Sequence, residues 1–190
     1  MMRAMCALGL VAVLAAANGA WAADLNGAAR VLDGDTLVIG DTHVRLEGID
    51  APESHQACAN RAGGRYPCGR LAAEHLRDLI AGRTVTCVEG GHDKYRRTLG
   101  TCSAAGMNLN ERMVADGWAI AYVKFSRAYE AAQASARAAH LGIWQGEFAE
   151  PERFRHDQAV RDAWSVQEPE EHSGKPCGHG WIAADKECHQ

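Results

Sequence analysis

The sequence predicts a mixed α+β domain built on a small five-stranded β-barrel. Three observations carry that prediction. "ARVLDGDTLVIGDTHVRLEGID" (residues 29–50) alternates apolar and polar residues through three short runs parted by "DGD" and "GD". One helical stretch, "GRLAAEHLRDLIAG", separates those runs from two more, "RTVTCVE" and "TLGTCS". Only helical patterns follow. Strand and helix alternate too rarely for a layered parallel sheet, whereas short strands interrupted once by a helix suit a small closed barrel.

Each element has its own signal. Val31, Leu37, Ile39, Val44 and Leu46 recur with period two, and the Gly/Asp pairs between them mark tight turns. With Val44 and Leu46 facing inward, Arg45 and Glu47 fall on the opposite face of the third strand. Residues 54–67 contain Gly, Asn and Arg and read as a loop. Leu71, Ala72, Leu76, Leu79 and Ile80 have helical spacing, with Gly82 beyond them as a stop. "GGHDKYRR" is a charged connection between the fourth and fifth strands. "NLNERMVADGWA" reads as a helix capped by Asn108 and ended at Gly117. "SRAYEAAQASARAAHLGIW" is a second helix with Ser126 as its cap, and "EPERFRHDQAVRDAW" carries a weaker helical pattern. The order fits a barrel of the oligonucleotide-binding (OB) type with about three helices.

The first 22 residues form a separate unit. Arg3, an apolar run of about a dozen residues and small Ala20 and Ala22 predict a secretory signal peptide cut after Ala22. That run is short of the roughly 20 residues a spanning helix needs, so a soluble, exported protein is expected, periplasmic or secreted, with no membrane attachment; a monomer is expected as well. A domain over 23–148 follows, then an extension over 149–190. Of seven cysteines, Cys6 falls in the leader and six remain. An even number in an exported chain predicts disulfides, and proximity suggests Cys58–Cys68, Cys87–Cys102 and Cys177–Cys188. Zinc on the Cys/His tail is the competing reading, but its spacing fits no familiar zinc module. Residues 23–148 hold 14 Lys/Arg against 15 Asp/Glu, and 149–190 hold 5 against 9. A nucleic-acid partner would therefore be bound by locally placed cations and salt-sensitively.

The chemistry concentrates in "DGDT", "RLEGIDAPE" and "DKYRR". Hydrolysis of a phosphodiester needs its charge neutralised, a water activated and often a metal to hold the parts together. Arginine suits the first task, because its planar fork donates two parallel hydrogen bonds and keeps its charge. Carboxylates and carbonyls supply hard oxygen ligands for Ca²⁺ or Mg²⁺. Nothing supports a serine or cysteine nucleophile, and the histidines show no ligand spacing. Asp33 reads as a turn residue and Glu47 as a strand residue.

"VLDGDTLVI…VRLEGIDAPES", "HDKYRRTLG", "NLNERMVADGWAIAY" and "AHLGIW" together resemble the staphylococcal nuclease-like (thermonuclease) family, from about Arg30 to Trp144. The resemblance implies a five-stranded OB barrel with three helices and Ca²⁺-dependent cleavage of DNA and RNA, unpaired strands preferred, with Mg²⁺ or Mn²⁺ as other candidate ions. By position, Asp35 and Asp50 match the family's metal carboxylates, and Ala51 its backbone-carbonyl ligand. Arg45 matches the phosphate-binding arginine and Glu53 the carboxylate acting on the attacking water. Arg97 matches the second arginine, and Lys94, Tyr95 and Tyr122 match substrate-holding positions. This chain departs at three places. Ala51 replaces a threonine, Lys124 a second tyrosine, and Arg96 a glycine, which strains the backbone by about 1 kcal/mol if φ is positive there. The expectation is an exported endonuclease; the alternative is a barrel that binds nucleic acid or protein without cutting.

Overall fold

The structure is a computed structural model that describes the backbone of residues 24–165, 175–177 and 180–182 and the side chains through residue 159. The expected leader over 1–22 lies outside the described residues. Strands β1 (Leu25–Val31), β2 (Thr36–Ile39) and β3 (Thr42–Leu46) open the fold, followed by the short β4 (Ile49–Asp50), β5 (Cys58–Asn60) and β6 (Arg65–Tyr66). Helix α1 (Cys68–Ile80) leads into the long hairpin of β7 (Thr84–His92) and β8 (Thr98–Ala104). Then come β9 (Met107–Asn108), α2 (Leu109–Ala115), β10 (Ile120–Ala121), α3 (Glu130–Ala138) and β11 (Gly146–Glu147). Helix α4 (Pro151–Ser165) and a hairpin of β12 (Lys175–Cys177) and β13 (Gly180–Ile182) complete the described chain.

The barrel is closed, as the strand pattern predicted. β1 pairs antiparallel with β2 and β7, β2 with β3, and β7 with β8, while β3 runs parallel to β8 and joins the sheet to itself. That seam depends on a missing side chain: a Cβ at Gly100, the partner of Leu46, would press to 2.9 Å from Val44. It also depends on Asn110 of α2. The Asn110 amide donates to the carbonyls of Glu47 (2.9 Å) and Gly100 (3.0 Å) and accepts from the Cys102 N–H (2.9 Å). Fully buried, it repays its own desolvation through these bonds and ties the end of β3 to β8.

The core follows the alternation. Leu37, Val44, Leu46 and Val85 of the barrel, Leu76 of α1, and Leu109, Met113 and Val114 of α2 are all fully buried. Arg45 and Glu47 lie half-buried on the other face of β3. A smaller cluster around Ile143 and the Cys58–Cys68 disulfide packs Tyr66, Trp118 and Trp144 beside the barrel. The Cys87–Cys102 bridge joins residues directly opposite on β7 and β8. Both pairings match the expectation. The third involves Cys188, which lies outside the described residues.

Several boundaries differ from the sequence reading. Residues 54–67 contain the strands β5 and β6, held by the disulfide at Cys58 and by the edge of β11. β7 continues through the two glycines to His92, with a bulge between Glu89 and Gly91, so the connecting loop is only residues 93–97. Asn108 caps α2 as predicted, accepting from the Glu111 N–H at 3.0 Å. Ser126 does not cap α3. Its Oγ accepts from Ala128 in a separate turn, and the helix starts at Glu130. The helix also stops early, at Ala138, because His140 adopts φ 54° and Gly142 φ 53°. Four α-helices are described rather than about three; the fourth is the weak pattern after residue 150.

Candidate active site

The site begins with a turn. The Asp33 carboxylate accepts from the Asp35 N–H at 3.0 Å, the self-bonded aspartate turn that "DGD" suggests. A Cβ at Gly34 would come within 2.7 Å of Ala51 Cβ and 2.9 Å of Ala72 Cβ, so glycine lets this turn lie against both the Asp50 loop and α1. Asp35 is thereby buried beside β3. One oxygen accepts from Arg45 Nη1 (2.5 Å) and Thr36 Oγ1 (3.1 Å), the other from the Ala51 N–H (2.9 Å). Burial pushes the Asp35 carboxyl above its ordinary value, opposed first by the Arg45 charge.

Asp50 reaches the same arginine from another direction. The tight turn at Gly48 (φ 76°) leads into β4, where Asp50 pairs with Ile120 of β10 and is wholly buried. Arg45 Nη2 donates to Asp50 Oδ1 at 2.7 Å. The guanidinium thus spans Asp35 and Asp50, one nitrogen to each. Burial weakens the Arg45 charge, but the two aspartates more than restore it and raise its pKa.

Glu53 is held through its backbone. Its N–H donates to Gln56 Oε1 (3.2 Å) and its carbonyl accepts from the Gln56 N–H (2.7 Å). A side chain at Gly69 would overlap the Glu53 carbonyl, so α1 packs directly on this loop. Buried Gln56 also donates to the Ala149 carbonyl at 2.7 Å, linking the Glu53 loop to the start of α4.

Helix α4 supplies a residue that sequence reasoning missed. Arg155 Nη1 donates to Asp50 Oδ1 (3.0 Å) and Glu53 Oε1 (2.7 Å), and Nη2 to Asp50 Oδ2 (3.0 Å). Three carboxylates therefore share two guanidiniums. Burial works against the Arg155 charge, and its bonds to Asp50 and Glu53 raise its pKa well past the ordinary value. Nothing in "EPERFRHDQAVRDAW" singles out Arg155. Its partners are more than 100 residues earlier.

The substrate-side residues divide into two groups. Tyr122 follows β10, its N–H bonded to the Gly48 carbonyl, and its ring lies 4.9 Å from exposed Phe125. Burial, then Glu152 and Asp50, raise the Tyr122 pKa. Lys124 pairs with both oxygens of Glu152 at 2.7 and 2.8 Å. Lys94, Tyr95 and Arg97 sit instead at the tip of the β7–β8 hairpin. Arg97 is bound to Asp93, not to the carboxylate cluster, and lies 5.6 Å from the centre of the Tyr95 ring. Lys94 Nζ is 4.9 Å from that ring, which is largely exposed. Register still relates the groups: Arg45 pairs with Leu99 of β8, two residues after Arg97.

Asp93 builds the tip. Its carboxylate accepts from the backbone N–H groups of Tyr95 (2.8 Å) and Arg97 (3.0 Å) as well as from the Arg97 guanidinium. Burial raises its pKa, but these bonds outweigh that and hold it below the ordinary value. Arg96 takes φ 66°, the left-handed conformation that favours glycine, and is exposed. The spacing of Asp93 and Arg97 was a readable signal for this loop.

Among the described residues no three His, Cys, Asp or Glu side chains stand ready as a metal centre. The donor chemistry nevertheless suits a hard divalent ion. Asp35 and Asp50 already converge on one positive group, Arg45, and both are carboxylates that burial forces to find a cation. The condition is that Arg155 gives up Asp50.

The fold defines the class: a closed OB barrel, here with a carboxylate–arginine cluster on it. The chain belongs to the staphylococcal nuclease family, whose model, described as "Staphylococcal nuclease homologue", matches residues 43–146. It is 35% identical over 146 residues to "Succinoglycan biosynthesis protein ExoI" of Rhizobium meliloti, covering 75% of each chain. It is 35% identical over 170 residues to "Micrococcal nuclease" of Shigella flexneri (80% of this chain, 92% of that one). An "Uncharacterized endonuclease" of Haemophilus influenzae is 32% identical over 146 residues (73% and 76%).

Proposed function

We propose that this protein is an exported endonuclease that hydrolyses phosphodiester bonds of DNA and RNA with the help of a divalent cation. One observation carries the reading: Arg45, Asp35, Asp50 and Glu53, spread over 19 residues of strand and loop, are gathered into a single polar cluster on the barrel. A binding surface has no need of buried paired aspartates beside a loop-borne glutamate; a hydrolytic site does.

In this reading Asp35, Asp50 and the Ala51 carbonyl hold Ca²⁺, with Mg²⁺ or Mn²⁺ as substitutes. The ion supplies charge neutralisation for the phosphate and for the alkoxide that leaves. Arg45 and Arg97 add positive charge at the phosphate, where it is worth most as the transition state develops. Glu53, on a loop fixed by Gln56 and α1, orients and deprotonates the attacking water. Lys94, Tyr95 and Tyr122 hold the strand, the exposed Tyr95 ring and the cation favouring unpaired bases. Export and a monomeric state belong to the same reading, supported by the leader pattern and by two disulfides that suit an oxidising compartment.

The alternative, a barrel that binds without cutting, has one observation on its side: Arg155 engages both Asp50 and Glu53. Cleavage of single-stranded DNA by the protein in Ca²⁺, Mg²⁺ or EDTA decides between them. Activity in Ca²⁺ that EDTA abolishes supports the nuclease; no cleavage with any ion, in protein that still binds the strand, supports the alternative.

A further inference from the structure

Helix α4 meets the site at three points, on or beside the residues assigned to it. Arg155 takes both oxygens of Asp50 and one of Glu53. Glu152, one turn earlier, takes Lys124, two residues past Tyr122. Phe154, between them, packs on His55 at 5.2 Å, two residues past Glu53. The cation of the helix thus lies on the anionic part of the site and its carboxylate on the part that holds substrate. The signs match those of a metal ion and a phosphate.

We propose that α4 is an internal occupant of the active site, with Arg155 standing in for the divalent cation and Glu152 for a substrate phosphate. Metal and nucleic acid must then displace the helix. This rests on the reading of Asp35 and Asp50 as cation ligands given above. Charge supports the exchange: three carboxylates face two guanidiniums, and replacing Arg155 by a dication balances them. Footing supports it too. Of the described α4 side chains only Pro151 is buried, against six buried residues in α1, so apart from Phe154 on His55 the described contacts of the helix with the site are polar ones that a competing ion or phosphate can replace. Arg155 is 37% exposed along its side chain, although Asp50 is not exposed at all, which leaves the arginine a way out.

Calorimetric titration of the full chain with CaCl₂, without nucleic acid, tests this against R155A and R155K. An occupant present about nine-tenths of the time lowers apparent affinity about tenfold. R155A should therefore bind Ca²⁺ about tenfold more tightly than the wild type, with R155K between them. In EDTA R155A should melt lower, its carboxylates short of a cation, and Ca²⁺ should raise its melting temperature more than that of the wild type. E152Q leaves the carboxylate cluster paired and provides a second route. It should bind a cleavage-resistant phosphorothioate single strand more tightly by fluorescence anisotropy. In wild-type protein, backbone amides of α4 should exchange faster with deuterium once Ca²⁺ and that strand are added. Wild-type protein that binds Ca²⁺ with R155A no tighter overturns the occupant and leaves the metal reading standing. Failure of every variant and the wild type to bind Ca²⁺ overturns both. Unchanged α4 exchange at saturation, or weaker strand binding by E152Q, would mean that the helix is part of the working site rather than a competitor.

Discussion

Arg45 divides its guanidinium between Asp35 and Asp50, and an ammonium cannot span both in that way. Removing the arginine leaves buried Asp35 without a cation, while Asp50 keeps Arg155. R45A should cost about 3–5 kcal/mol of stability, the scale for breaking a buried pair, and cleavage should fall about 10³-fold or more, as for other transition-state arginines. R45K should recover little of the activity in a single-strand cleavage assay. Recovery to near wild-type rates would show that charge alone suffices. Arg96 presents the opposite case. At φ 66°, exposed and beside the ordered Arg97, it bears a backbone strain that glycine does not. R96G should raise stability by about 1 kcal/mol in urea denaturation and keep or raise activity. Loss of activity in R96A but not R97A would reverse the roles of the two arginines. Asp93 sets the pH response of this loop. Because its folded pKa is depressed, its contribution is fully present above the ordinary aspartate value and is lost as pH falls through the folded one. Below about pH 4 the Tyr95 and Arg97 amides should exchange faster, as seen by NMR, and D93N should remove that dependence.

At the scale of elements, the hairpin that carries Lys94, Tyr95 and Arg97 is clamped where Cys87 faces Cys102, and the loop after Glu53 is clamped by Cys58–Cys68. Closing a loop of 15 residues is worth about 3 kcal/mol in the chain-entropy account. Reduction should therefore lower thermal stability and cleavage together, whereas a C87S/C102S pair should affect stability while leaving Glu53 in place. Unchanged activity after full reduction would show that the loops are set by their hydrogen bonds alone. Packing sets the Glu53 loop as much as the disulfide does. Gly69 lets α1 sit on the Glu53 carbonyl, and Gln56 bonds both sides of the turn. The pattern for α1 was plain in the sequence because six of its residues face the core at helical spacing. α3 is shorter at both ends than its sequence pattern predicts. An alanine-rich run favours helix throughout, yet a turn at Ser126 and the left-handed His140 override that propensity.

Across the whole molecule, a net charge of −4 gives no general attraction for nucleic acid. Binding must come from the few cations around the cluster and the hairpin tip, so affinity for a single strand should fall steeply between 50 and 200 mM salt, by roughly 10-fold for each two or so phosphate contacts. A flat salt response would argue against an electrostatic footprint. The sequence alone determined the barrel, because period-two runs, turn residues and one strong helix are local signals that leave few closures open. It also determined the inventory of the site: Arg45, Asp50 and Glu53 lie within nine residues, and Asp35 one hairpin away. Tertiary structure decided how that inventory is used. Whether Arg45 meets solvent or two aspartates, whether Arg97 faces the cluster or Asp93, and which side chain fills the space beside Asp50 are questions of long-range placement. Asn110, Gln56 and Arg155 make their decisive bonds to residues up to 105 positions away. A helix with no strong apolar face gives no local sign of where it docks. Its position is fixed by charges that the chain brings together only on folding.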